Sequence, residues 1–145
     1  MNNEAYKTIK KKYRKVANNY WRFSVHTVKE ILGHIASGQE QAWLNGFPVG
    51  LTSVRLRTYL KGTECVHCGL RASFFAVEVN TGSPHLNLYG LNDRGHAVMM
   101  TSDHIVPKSR GGDKNDVANR QCLCTKCNGK KSNRLEHELT GGIAA

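Results

Sequence analysis

A chain of 145 residues has the length of one ordinary domain with a moderate core. Its 21 Lys and Arg against 11 Asp and Glu leave a formal charge of +10, which points to a polyanion such as nucleic acid, with an anionic membrane surface as the weaker alternative. No apolar run approaches the roughly 20 residues that cross a bilayer, and the polar start MNNEAYKTIKKKY lacks the apolar centre of a signal peptide. Membrane-spanning classes are thereby excluded, and a cytoplasmic location is the expectation.

Residues 4 to 45 are mostly helix-compatible. Lys7, Lys10, Lys11, Lys12, Arg14 and Lys15 crowd the front, and Tyr6, Ile9, Tyr13 and Val16 recur at helical spacing, which predicts an amphipathic helix. Lys11 and Lys12, with Tyr13, Tyr20, Trp21, Arg22 and Phe23 interleaved, suit the tracking of a DNA backbone. The competing reading is a solvated face over a small aromatic core, which is favoured for Trp21 and Phe23. A second helix is predicted from about Thr27 to Ala36, with Val28, Ile31, Leu32 and Ile35 on one face and a stop at Ser37 and Gly38. Asn45, Gly46 and Pro48 mark a loop, and a third, short helix is predicted from Thr52 to Leu60.

From Phe74 the period changes. FFAVEV alternates and is rich in β-formers, while HLNLYGLN and HAVMM read as two strands joined by a turn at Asp93, Arg94 and Gly95. Pro107 and the Gly111–Gly112 pair force a loop after Asp103 and His104, and helical character returns from about Cys122 to Glu138. Hairpin, loop and helix make a ββα unit. The expected fold class is α+β: a basic, helical N-terminal region over 1–60, serving as a DNA-binding or packing extension, then a core over 61–138 and a frayed tail over 139–145. No sequence-reading module such as a helix-turn-helix is evident in residues 1–60.

Five cysteines fall as Cys65 and Cys68, then Cys122, Cys124 and Cys127. Without a secretion signal, two CxxC pairs read as a thiolate metal site rather than a disulfide framework. Cys65, Cys68, Cys124 and Cys127 supply the four ligands of a closed, structural zinc site, and Gly69 follows the first pair as a knuckle turn requires. Unrelated buried cysteines are the bland alternative. Cys122 and His67 are rival ligands set aside as bystanders, Cys122 as a small apolar filler.

On a helix, Cys124, Cys127, Asn128 and Lys131 share one broad face by the i, i+3, i+4, i+7 rule. One edge of that face can hold zinc while the other offers an oxygen. A hard cation such as magnesium needs few protein ligands, so the Asp103 carboxylate and the Asn128 amide oxygen would suffice with phosphate oxygens completing the shell. His104, whose imidazole can accept a proton when neutral, suits the deprotonation of water. An isolated Asp-His pair is usually ordinary surface polarity. Its combination here with Pro107, the double glycine, Asn119 and the CxxCN run argues otherwise. His26, His34, His85, His96 and His137 read as surface or packing residues.

DHIVPKSRGG, Asn119 closely followed by LCTKCN, and Lys131 together resemble the HNH endonuclease family, the ββα-metal nucleases, in the variant with two CxxC pairs. The resemblance runs from Cys65 to about Arg134. It implies a zinc-braced ββα-metal nuclease core that cleaves DNA with magnesium or manganese and no small-molecule cofactor. His104 would be the first His and general base, Asn119 the middle Asn that holds the His-bearing loop, and Asn128 would occupy a third position where other members carry His. Asp103 and Asn128 would hold the catalytic ion. Lys108, Arg110 and Lys131 would then contact phosphates. Cleavage would leave a 5′ phosphate, in a phage or homing-type setting taken by analogy. The reading from another class is a non-catalytic, zinc-containing module that binds nucleic acid. Such a binder has no need of Asp103, His104 and Asn128 together.

Overall fold

In a computed structural model of the protein, residues 14–16 and 20–135 are described. Their chain order is β1 (Arg14–Lys15), β2 (Trp21–His26), α1 (Val28–Ala36), β3 (Gln41–Leu44), β4 (Phe47–Gly50), α2 (Val54–Thr58), β5 (Ala72–Val79), β6 (His85–Leu91), β7 (Ala97–His104), β8 (Arg120–Cys124) and α3 (Thr125–Lys131). Two short 3-10 turns, Lys108–Arg110 and Val117–Asn119, interrupt the long β7–β8 loop.

Six strands form one sheet in the order β1-β2-β5-β6-β7-β8, and every neighbouring pair is antiparallel. Alternation explains the placement. Phe75, Val77 and Val79 of β5, Leu86 and Leu88 of β6, and Met100 of β7 are buried in a core shared with Ile31 and Ile35 of α1 and Leu56 of α2. Caps that the sequence supplies begin both helices: the Thr27 hydroxyl accepts from the Glu30 amide and the Ser53 hydroxyl from the Leu56 amide, each at 3.1 Å.

The other face of the sheet buries a charge. Glu78 is fully buried, and its carboxylate accepts from Arg22 Nε at 2.8 Å, Asn87 Nδ2 at 2.9 Å and the Tyr89 hydroxyl at 2.5 Å. The Arg22 guanidinium lies over the Phe74 and Tyr89 rings, 5.1 and 4.9 Å from their centroids. Its charge is thus matched by the carboxylate and covered by two π-faces. Burial, followed by the neighbouring carboxylate, pushes the Tyr89 phenol well above its ordinary range.

Three expectations are corrected. The N-terminal region is not a run of helices: residues 14–15 and 21–26 are strands, and Phe23 stacks on Phe47 with ring centroids 4.6 Å apart. The alternation of WRFSVH, a run of aromatic and β-branched residues, prevails over the helical spacing read across residues 4 to 45. The loop expected at Asn45, Gly46 and Pro48 is the tight turn of the β3–β4 hairpin, with Asn45 and Gly46 both at positive φ and Pro48 inside β4. Helix does not begin at Cys122, because Cys122 to Cys124 complete β8, and α3 starts at Thr125. The two strands of the ββα unit are therefore β7 and β8, not the β6–β7 hairpin. The remainder of the first expected helix, with Lys11 and Lys12, lies outside the described residues, as do His137 and the tail. Among the described residues no helix is long and apolar enough to cross a membrane.

Candidate active site and metal centre

Cys124 ends β8 and caps α3, so strand and helix join without an intervening residue. Its sulfur accepts from the Cys127 amide at 3.4 Å. Across from it, the Cys65–Cys68 knuckle closes where the Gly69 amide donates to the Cys65 carbonyl at 2.9 Å, with Gly69 at φ +80°. The Val66 amide donates to the Cys122 carbonyl at 3.0 Å and fastens the knuckle to β8.

One ligand atom from each of Cys65, Cys68, Cys124 and Cys127 lies within 4.8 Å of the others, and the Cys68 and Cys124 sulfurs are 3.8 Å apart. Zinc bound tetrahedrally at about 2.3 Å requires sulfur–sulfur edges of about 3.8 Å, so the cluster fits a structural zinc ion. Burial raises the Cys65 thiol, but backbone donors led by Cys124, with Cys68 and His67, outweigh it and bring the thiol down to about 6. Burial, then the Cys124 sulfur, pushes Cys127 strongly the other way, the conflict of crowded sulfurs that a divalent ion relieves. Cys122 sits outside the cluster in the core, pushed up to about 12 by burial first and then by Cys65 and Cys124. It is a buried neutral thiol, as befits a filler.

Asp103 and His104 are the last two residues of β7, opposite Gln121 and Arg120 of β8. The loop between the strands folds back on Asn119. Its Nδ2 donates to the carbonyls of Val106 at 3.1 Å and Asp113 at 2.9 Å, its Oδ1 accepts from the Val106 amide at 2.9 Å, and its own carbonyl accepts from the Ile105 amide at 2.8 Å. Gly112 is required inside this knot, because a Cβ there would collide with the Val106 carbonyl and come within 2.9 Å of Asn119 Nδ2. The loop so held places the Lys114 carbonyl 3.2 Å from His104 Nε2.

Lys131 requires a correction. Expected among the phosphate contacts, its side chain is fully buried, with Nζ 2.9 Å from Asp103 Oδ2 and 2.7 Å from the His104 carbonyl. The helix end is thereby pinned to the end of β7. Asn128, one turn earlier, shares the face of α3 that Lys131 lays against Asp103. Lys131 and Gln121 Nε2, the latter at 3.4 Å, both meet the Asp103 carboxylate at Oδ2. The Asp103 carboxylate and the Asn128 amide are oxygen donors of the kind that a hard divalent ion takes.

Lys108 and Arg110 stand exposed on the first 3-10 turn. His96 lies in the β6–β7 turn, where its amide donates to Asn92 Oδ1, outside the constellation around His104. Two residues not singled out from the sequence also grip the loop. Lys61 Nζ donates to the carbonyls of Val117 at 3.0 Å and Arg120 at 2.6 Å, and the Arg120 guanidinium reaches Ser102 and Lys114. Both act on main-chain carbonyls, which leave no trace in residue spacing.

A comparison with family models matches residues 90–134, a little under a third of the chain, to HNH endonuclease. Neither the curated proteins nor the solved structures contain a match. The first CxxC pair and all of α2 precede the matched segment, yet both close on it.

Proposed function

We propose that this HNH endonuclease domain, residues 90–134, hydrolyses phosphodiester bonds in DNA, with His104 as general base and Asp103 and Asn128 on one divalent ion. The observation that carries the reading is the Lys114 carbonyl beside His104 Nε2. A carbonyl can only accept, so the neutral ring keeps its proton on Nε2 and its lone pair on Nδ1. Nδ1 is then the atom that takes a proton from water as that water attacks phosphorus.

Asn119 holds the loop that carries the orienting carbonyl, and Lys131 fixes the Asp103 carboxylate by its Oδ2 edge. Magnesium or manganese, when bound, supplies positive charge to the crowded phosphate oxygens and to the departing 3′ oxygen. Lys108 and Arg110 sit on the loop that carries the base, where phosphate contacts would set the register of the backbone. The product carries a 5′ phosphate. The Lys-rich start, with Lys11 and Lys12, adds positive charge for a polyanion, and a phage or homing-type role in a bacterial cytoplasm suits a small free-standing nuclease by analogy alone.

Supercoiled plasmid with magnesium tests the reading beside a His104→Ala variant of unchanged zinc content. Wild type converts the plasmid to nicked or linear form, and the variant is slower by about 100- to 10,000-fold. Intact plasmid with both magnesium and manganese favours the non-catalytic zinc module instead.

A further inference from the structure

We propose that Arg120 and Lys61 are positioning residues that hold His104 in a single tautomer through the backbone of the 105–119 loop. The inference rests on His104 being the general base. Arg120 Nη2 donates at 3.0 Å to the Lys114 carbonyl, the same oxygen that His104 Nε2 approaches at 3.2 Å. A carbonyl has two lone pairs and accommodates both donors. On its other edge the guanidinium donates through Nη1 to the carbonyl and the hydroxyl of Ser102, each at 3.2 Å. The planar fork thus spans β7 and the loop, and its rigidity sets the separation between Ser102 and the Lys114 carbonyl.

Helix α2 backs this brace from outside the matched segment. The buried Thr58 hydroxyl meets the Ser102 hydroxyl at 2.8 Å, while Lys61 Nζ holds the Val117 and Arg120 carbonyls at the loop's far end. Without such ties a carbonyl in an exposed loop drifts easily, and a neutral imidazole that loses its acceptor shares its proton between both nitrogens. The fraction carrying a proton on Nδ1 cannot accept one there from water. One further observation favours placement over stability: Arg120 Nε is buried with no hydrogen-bond partner among the described residues. An unpaired buried donor destabilises, and a local rule broken beside a reacting group is a mark of function.

The test combines kinetics with 15N spectra of the His104 ring at alkaline pH. Wild type shows the Nε2–H form. In Arg120→Met the spectra show mixed tautomers, and kcat falls about 10-fold, from the lost tautomer and the loosened ring position together, while KM stays within about two-fold and zinc content is retained. Arg120→Lys, whose ammonium reaches one acceptor at a time, recovers part of both signals. A folded, zinc-loaded Arg120→Met with the wild-type tautomer overturns the proposal, whether its kcat is unchanged or its KM alone rises. Should Arg120→Met fail to fold, Lys61→Met, altered at an exposed side chain, decides by the same two readouts: mixed tautomers with reduced kcat support the proposal, and wild-type values sink it. His104→Ala cutting as fast as wild type would dispose of the general-base reading, while the ring spectra still report whether Arg120 orients His104.

Discussion

Lys131 shows how one buried charge organises a site. Its stem passes through the interior of the strand–helix junction, and its ammonium ends on a carboxylate and a carbonyl at the tip of β7. Replacing it by Met would keep the volume and strand the Asp103 carboxylate, which is only 12% exposed. The expected cost is about 3 kcal/mol in urea unfolding, in the range for breaking a buried pair. A loss below about 1 kcal/mol would show that water solvates Asp103 as well as Lys131 does. Helical spacing put Lys131 on the correct face of α3, beside Asn128. Whether that face met phosphate or the protein's own carboxylate depended on β7, far away in sequence, and no local pattern encodes it. Asn119 was more legible through the resemblance, which implied its loop-holding role, and its side chain donates and accepts to hold the loop.

Among the elements, α3 is too short to stand alone. Its seven residues fall well short of the roughly 12 to 15 that a helix needs in water. Cys124 and Cys127 at one end and Lys131 at the other must hold it. Removing zinc with a chelator is therefore expected to release α3: amide exchange over residues 125–131 accelerates, nuclease activity is lost, and zinc rather than added magnesium restores both. Unchanged exchange would mean that packing alone secures the helix. Helix α1 was readable because Val28, Ile31, Leu32 and Ile35 recur on one face and Ser37 and Gly38 stop it. Strand β8 was not, since CLC is too short an apolar run for periodicity to separate strand from helix, and the CxxC spacing of the next turn drew the helical assignment back over it. The zinc ligands stood out because paired thiols at fixed spacing carry their geometry with them. The carbonyls gripped by Lys61 and Arg120 carry no such mark.

On the scale of the molecule, one sheet joins everything. Strand β2, from the region expected to be a helical extension, pairs with β5, and the ladder continues through β6 to β7 and the site. Two strands separate β2 from β7, a span of about 14 Å at the usual strand spacing. Stability and chemistry should separate across it. Arg22→Met leaves the buried Glu78 carboxylate with Asn87 and Tyr89 among the described residues, and about 3 kcal/mol is expected to go from the unfolding free energy. Plasmid cleavage by the folded fraction, measured well below the lowered melting temperature, should match wild type. A slower folded enzyme would show that strain at Glu78 reaches β7.

Cys127 and Asn128 are consecutive residues of α3, one in the sulfur cluster and the other one turn before the Lys131 that meets Asp103. If Asn128 holds the second ion as proposed, two cations would grip adjacent residues of one short helix, and their binding is expected to be coupled. Whatever free energy zinc contributes toward magnesium affinity, magnesium must return toward zinc affinity, because the coupling is reciprocal. Saturating magnesium, better still with cleavage-resistant DNA present, should then slow the escape of zinc to a chelator. A release rate indifferent to magnesium would mean that the helix is already rigid before the second ion arrives.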